Sequence, residues 1–337
     1  MKRVWVIPEN FLERVGQPSS RFHPDYLAYQ RGEITQSELI ARLPHVAMIG
    51  DSVCTGIHIS TPWKTLRRAR RCRGRDWFLN IEPAAEIESI SKRLEKLTPL
   101  VASHYGGVGA MVDDEDYRLW FSRRILGTQN FSGQIKEILN ANRFPDLILV
   151  SIGHNNVDWA WRSPEDERAQ ARFRLERIGQ SFREMFEPQL RKLIGHAREK
   201  RHRISIVVFG VVNFEAYFKG REEAERRRAE DSTLYPHLET TYKYLISFRP
   251  EYRENVIRLA KMMNGELRKM IDDLNREFGT NTILQLRYSD ALATADLSRA
   301  ELLHAVDGWH ASVKGHNVLA EAAFADLAPS LSFLGIA

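Results

Sequence analysis

The chain has 337 residues, of which 43% are hydrophobic and 28% charged, and its formal net charge is +5. This composition is typical of a globular protein with enough apolar residues for a sizeable core, and the mildly basic balance does not by itself indicate nucleic-acid binding. The two cysteines, Cys54 and Cys72, form neither a disulfide framework nor a zinc-ligand spacing, which favours a reducing compartment.

The N-terminal residues predict neither a signal peptide nor a membrane span. An apolar run at residues 4–7 meets Pro8 and Glu9 after four residues, which is too short for the hydrophobic region of a signal peptide. No stretch approaches the roughly 18 apolar residues that a spanning helix needs. We therefore expect a cytoplasmic protein with no integral membrane segment. Residues 1–44 are predicted to be an N-terminal extension that packs against the core or a partner subunit, with a helix at 35–43 capped by Thr35.

The first strong strand signal leads into a candidate nucleophile. Val46-Ala47-Met48-Ile49 has the pattern of a strand covered on both faces, and Gly50-Asp51-Ser52 follows it directly. Ser52 is thus predicted at the carboxyl end of a buried strand, the edge at which open α/β sheets build their sites. A serine hydroxyl needs a base to become a nucleophile, and Gly-Asp-Ser alone is also typical of a turn with a helix cap.

An arginine-rich run follows at residues 67–75, containing Arg67, Arg68, Arg70, Arg71, Arg73 and Arg75. It could contact phosphate, phospholipid head groups or RNA, but a solvated or ion-paired surface is the favoured interpretation. Because no aromatic residues are interleaved at a regular spacing, nucleic acid is not expected as a partner.

Strands and helices alternate along the rest of the chain. Further strands are predicted at 100–105, 146–152, 203–212 and 282–286, and helices at 86–97, 132–140, 165–200, 221–231 and 251–278, with a closing helix from Lys314. Alternation of this kind predicts a parallel sheet with helices on both faces. No internal repeat or long linker divides residues 45–330, which we expect to form one domain.

Polar residues and glycines stand where the predicted strands end. The second strand runs into Gly106-Gly107-Val108-Gly109, and the third into Gly153-His154-Asn155-Asn156. Asp307 and His310 are three residues apart in a loop before the closing helix. A buried carboxylate at that spacing can fix the imidazole tautomer, so that the other ring nitrogen can take a proton from Ser52.

This order of motifs resembles the SGNH hydrolases, also called the GDSL lipase/esterase family, from about residue 45 to 325. The resemblance implies a flavodoxin-like, three-layer α/β/α fold with a five-stranded parallel sheet, a catalytic set of Ser52, Asp307 and His310, and an oxyanion hole. The family's oxyanion donors carry over to the backbone N–H of Ser52, the side-chain amide of Asn155 and a second-block glycine.

That glycine has three candidates in this sequence. The segment from Glu88 to Asp114 resembles the phospholipase-like branch of the family and favours Gly109, with Gly107 next. The stretch Asn130-Phe131-Ser132-Gly133 imitates the second block of shorter members and makes Gly133 the alternative. The chain also departs from the family pattern in Val53-Cys54-Thr55 after the first block and in Asn156, where an aspartate is usual.

The sequence therefore predicts a serine hydrolase that cleaves a carboxylic ester of a small molecule or lipid and needs no cofactor. A carbohydrate O-acetylesterase, an acyltransferase, or a catalytically silent lipid- or RNA-binding protein on the same fold are the alternatives. His304, Asp307, His310 and His316 could gather near a cation, but they lack a recognised ligand spacing, and no metal site is predicted. No feature of the sequence predicts an oligomeric state.

Overall fold

The structure is a computed structural model that describes residues 4–7, 10–56, 75–81, 86–113, 129–161, 175–236, 238, 250, 253–279 and 282–336. Its centre is a six-stranded sheet. The strands are β1 (Val4–Val6), β2 (His45–Gly50), β3 (Val101–His104), β4 (Leu147–Ser151), β5 (Ile204–Phe209) and β6 (Leu284–Ser289). Their order across the sheet is β1-β3-β2-β4-β5-β6.

The five strands β2 to β6 are parallel, as predicted, and their order is that of a flavodoxin-like sheet. The four inner strands β2 to β5 are buried along their whole length, which explains the apolar runs in β2, β4 and β5. Strand β1 was not predicted. It pairs antiparallel with β3, with Val4 opposite His104, and it extends the sheet beyond five strands.

Eleven α-helices occur in the described part of the chain. They are α1 (Phe11–Val15), α2 (His23–Gln30), α3 (Gln36–Arg42), α4 (Ile90–Leu97), α5 (Phe131–Leu139), α6 (Leu175–Glu199), α7 (Phe214–Glu230), α8 (Arg253–Phe278), α9 (Ala291–Thr294), α10 (Val313–Ala325) and α11 (Ala328–Leu334).

The long helices form two layers around the sheet. Helix α6 packs between α5 and α8, whereas α4 packs against α10 and α11 lies against β5. Right-handed crossovers place α4 on one face of the sheet and α5, α6 and α8 on the other, since the chain steps in opposite directions after β2 and β3. The fold is therefore the three-layer α/β/α arrangement that the sequence predicts.

Several predicted helix boundaries were wrong because a side chain caps the helix elsewhere. Helix α4 begins after its N-cap Ser89, four residues later than predicted, and α5 is capped by Asn130 instead of Ser132. Helix α7 was predicted as an exposed helix from Arg221, but it begins after Asn213 and its first half is buried. Residues 165–174 of the predicted helix at 165–200 lie outside the described residues.

The N-terminal extension packs against β3. Helices α1 to α3 bury Phe11, Val15 and Leu39 in a cluster with Val101 of that strand. Thr35 caps α3 as predicted, in a capping box with Glu38. The extension therefore contacts the sheet of its own chain, the first of the two environments that the sequence allowed.

Candidate active site

Ser52 lies on a tight turn at the carboxyl end of β2. A single turn of 3-10 helix, Ser52–Cys54, follows the strand, and the Asp51 carboxylate caps it by accepting from the backbone N–H of Val53 at 3.0 Å. A Cβ added to Gly50 would lie 2.6 Å from the carbonyl oxygen of Ser151, so a glycine is required where this turn folds against β4. Ser52 is buried, with 5% of the residue exposed.

The Asp51 carboxylate joins this turn to the loop after β4. Its Oδ2 accepts from the backbone N–H groups of Gly153 at 3.1 Å and His154 at 3.0 Å, and it lies 2.9 Å from His154 Nδ1. His154 Nε2 accepts from the N–H of Val212, so the ring proton is on Nδ1 and is donated to Asp51. Apart from the aspartate in Gly-Asp-Ser, no pattern in the sequence indicates this role of Asp51 or its partner His154.

Backbone hydrogen bonds distinguish the three candidate glycines. The N–H of Gly107 donates to the carbonyl of Gly50 at 3.0 Å, and the N–H of Gly133 donates to the Asn130 side chain at 3.0 Å as part of a helix cap. Gly109 has a left-handed φ of 71°, and its N–H has no acceptor within the described ranges. This geometry favours Gly109 as the donor to a substrate oxygen.

Asn155 is positioned by the glycine loop. Its side-chain Nδ2 donates one hydrogen to the carbonyl of Ala110 at 2.9 Å, the residue directly after Gly109. The amide carries a second hydrogen that this bond does not use. Asn156, in place of the family's aspartate, accepts from the N–H of Val112 through Oδ1 at 3.0 Å, so an amide oxygen performs the acceptor role there.

Asp307 and His310 form a buried pair. Asp307 Oδ2 lies 2.6 Å from His310 Nδ1, and the other oxygen accepts from the N–H groups of Trp309 at 2.9 Å and His310 at 3.1 Å. Asp307 is fully buried and His310 is 5% exposed. With Nδ1 engaged by the carboxylate, Nε2 is the ring nitrogen that can act as a base.

A chain of contacts links the Ser52 turn with the loop that holds Asp307 and His310. From the Ser52 turn, Asp51 bonds His154, which bonds Val212 after β5. Two residues later, the Phe214 ring lies 5.8 Å from the ring of Trp309, next to His310. These contacts link the turn after β2 with the loops after β4 and β5 and, through Phe214 and Trp309, with the loop that holds Asp307 and His310.

Cys54 and His316 are buried in surroundings that do not suit a catalytic role. Cys54 is buried, and burial raises the pKa of its thiol, so it is not a competing nucleophile. His316 is 1% exposed, and burial, followed by the nearby His310 and His304, lowers its pKa to about 3. Among the described residues, no group of three or more His, Cys, Asp or Glu side chains could hold a metal ion.

Two observations concern the predictions on membranes and anions. In the described part of the chain, no helix has both the length and the apolar character to cross a bilayer. Of the arginine-rich run, only Arg75 is described, where it forms a β-bridge with Asn80, and the other five arginines lie outside the described residues.

The sequence model of the GDSL-like Lipase/Acylhydrolase family matches residues 46–323. The chain belongs to this family, and the predicted resemblance is confirmed. A comparison with curated proteins finds no match.

Solved structures of lipases and esterases are similar to this chain at low identity. A lipase from a goat rumen metagenome is 14% identical, with 84% of this chain and 96% of the lipase covered and a TM-score of 0.42. Phospholipase A1 from Streptomyces albidoflavus NA297 is 12% identical, with coverages of 84% and 98% and a TM-score of 0.44. A carbohydrate esterase family 3 protein from Talaromyces cellulolyticus is 12% identical, with coverages of 86% and 99% and a TM-score of 0.39.

Proposed function

We propose that this protein hydrolyses a carboxylic ester through an acyl-enzyme formed on Ser52. The observation that carries the proposal is the buried Asp307–His310 pair, whose 2.6 Å contact orients the imidazole. The two other histidines bonded near Ser52 do not suit the role of base. His154 uses both ring nitrogens, for Asp51 and Val212, and His104 uses both for Cys54 and Gly106.

In the proposed reaction, His310 Nε2 takes the hydroxyl proton of Ser52 as Oγ attacks the ester carbonyl carbon. The resulting oxyanion accepts from the backbone N–H groups of Ser52 and Gly109 and from the Asn155 side chain. The bond to the alcohol oxygen then breaks, and His310 returns its proton to the leaving alcohol. Water attacks the acyl-enzyme with His310 again as base, which releases the acid and restores Ser52.

The substrate is proposed to be a small-molecule or lipid ester, and no cofactor enters the reaction. Asp307 stabilises the imidazolium that forms in each step, since its carboxylate lies within a short hydrogen bond of Nδ1. Loss of one oxyanion donor in comparable sites costs about 2.7–4 kcal/mol of transition-state stabilisation, so the three donors account for a large part of the expected rate enhancement.

The test is hydrolysis of p-nitrophenyl acetate, butyrate and longer esters by the wild type and Ser52→Ala. We expect the variant to lose at least about 1,000-fold in kcat, because the nucleophile is removed while the donors remain. Ser330→Ala is the matched control, because Ser330 is also a buried serine but lies on α11. A fluorophosphonate should label Ser52 in the wild type. Equal hydrolysis by Ser52→Ala and the wild type would exclude Ser52 as the nucleophile.

A further inference from the structure

Two separate segments carry the backbone donors of the proposed oxyanion hole. The N–H of Ser52 belongs to the turn after β2, and the N–H of Gly109 belongs to the loop after β3. Donors stabilise an oxyanion only when they converge on one position about 3 Å away. The relative placement of these two segments therefore decides whether the site works, and it must be held by contacts between them.

His104, the last residue of β3, bonds both segments. Its Nε2 lies 2.5 Å from the carbonyl oxygen of Cys54, and its Nδ1 lies 3.1 Å from the backbone nitrogen of Gly106. Because a backbone N–H can only donate, Nδ1 is the acceptor and the ring proton is on Nε2, from which it is donated to Cys54. The imidazole is a neutral bridge with 1% of the residue exposed.

The surroundings of His104 fix the orientation of its ring. Asp76 Oδ2 lies 3.5 Å from Nε2, and Asp76 is itself held because its Oδ1 accepts from the N–H groups of Phe78 and Leu79. The Phe78 ring packs edge-on against the imidazole with centroids 5.7 Å apart. A Cβ on Gly106 would lie 2.6 Å from His104 Cε1, so the glycine loop passes directly over the ring.

We propose that His104, supported by Asp76, is a positioning residue that sets the spacing between the nucleophile turn and the oxyanion loop. This inference rests on the proposed function. The hydrogen bond to Cys54 fixes the end of the Ser52 turn, and the hydrogen bond from Gly106 fixes the start of the loop that carries Gly109. A displaced donor weakens binding of the transition state more than binding of the substrate, so the effect falls on kcat.

The test compares His104→Gln and His104→Asn with His45→Gln. Glutamine can keep the donor to Cys54 and asparagine can keep a group near the Nδ1 position, but neither side chain bridges both segments. His45 is the matched control, because it is also a fully buried histidine, but it lies at the start of β2, 2.7 Å from Ser103 Oγ. The readouts are kcat and KM for p-nitrophenyl butyrate, the urea midpoint, and hydrogen exchange of peptides covering 50–56 and 104–111.

We expect both His104 variants to lose about 10- to 100-fold in kcat with KM changed by less than about threefold, because only transition-state contacts are displaced. Hydrogen exchange should accelerate in both peptides. His45→Gln should lower the urea midpoint to a similar degree and leave kcat within about twofold of the wild type.

The outcomes separate this inference from the proposed function. An active wild type whose kcat is lowered no more by the His104 variants than by His45→Gln would overturn the positioning role and leave the esterase proposal intact. A wild type that neither hydrolyses esters nor reacts with a fluorophosphonate would remove the esterase proposal and this inference together. Unchanged hydrogen exchange in the two peptides would show that His104 does not hold the segments.

Discussion

Tyr217 supports the loop that holds Asp307 and His310. The hydroxyl donates to the carbonyl of Gly308, between Asp307 and Trp309, at 2.7 Å. Tyr217 is 3% exposed, and burial raises the pKa of its phenol, so the hydroxyl stays a donor at neutral pH. The Trp309 ring also packs against Tyr217, with centroids 4.8 Å apart. Tyr217 thus contacts both residues that lie between Asp307 and His310.

We expect Tyr217→Phe to lower kcat/KM by about 2- to 10-fold, because a lost hydrogen bond is worth roughly 0.5–1.5 kcal/mol and this one holds the loop of the proposed acid and base. Tyr235→Phe is the control, since Tyr235 donates a similar bond at 2.8 Å to Ala300, away from Asp307. Both variants should lose comparable stability in urea, but only Tyr217→Phe should lose activity. Equal kcat/KM values for the two variants would contradict this role.

At the scale of elements, the start of helix α10 sets the position of the loop that holds His310. Ser312 caps the helix by accepting from the N–H of Gly315, and the Ser312 hydroxyl donates to the carbonyl of Glu301 at 2.7 Å. A Cβ added to Gly315 would lie 2.1 Å from the carbonyl oxygen of Leu302. The absence of a side chain at Gly315 therefore allows α10 to pack closely against the 3-10 turn Ala300–Leu302.

Replacing a helical glycine with alanine should consequently change the free energy of unfolding in opposite directions at Gly315 and Gly265. Gly315→Ala should lower the free energy of unfolding by more than about 1 kcal/mol, because backbone must move to relieve the clash. Gly265→Ala in α8 should raise it by up to about 1 kcal/mol, because nothing lies within 4 Å of its added Cβ and alanine favours helix. Urea unfolding of both variants measures the difference, and a stabilised Gly315→Ala would show that the close packing is not required.

At the scale of the whole molecule, two buried histidines link folding to pH. Burial lowers the pKa of His45 to about 3, from an ordinary value of 6.5, and burial likewise lowers that of His316 to about 3. The unfolded chain therefore binds protons at these positions before the folded chain does. Their contribution to stability is complete above pH 6.5 and is lost progressively as the pH falls from 6.5 towards 3.

We expect the free energy of unfolding of the wild type to fall between about pH 7 and about pH 4.5, by roughly 1.4 kcal/mol per pH unit below 6.5 for each of the two histidines. His316→Leu removes one of these titrations. The difference in the free energy of unfolding between about pH 7 and about pH 4.5, measured with urea, should be smaller by about 2–3 kcal/mol in the variant. An identical difference in both proteins would exclude His316 as a source of acid sensitivity.

Much of the architecture was predictable because its causes are local. The inner strands β2, β4 and β5 are largely apolar and buried along their whole length, and their alternation with amphipathic helices leads to a parallel sheet with two helical layers. Strand β1 was missed because three residues show no period, and its pairing depends on the edge of β3. Three helices begin at residues other than those predicted, because their N-caps are Ser89, Asn130 and Asn213 and the hydrophobic period does not locate a cap.

The sequence by itself determined the fold class and placed Ser52, Asn155, Asp307 and His310 after strands or before a helix, because these depend on short stretches of chain. Only the tertiary structure assigned partners to Asp51, whose carboxylate binds Gly153, 102 residues away, and to His104, which bonds Cys54, 50 residues away. It also favoured Gly109 over Gly107, since the N–H of Gly107 is engaged by Gly50. Such contacts form where strand ends meet, and residue spacing along the chain does not encode them.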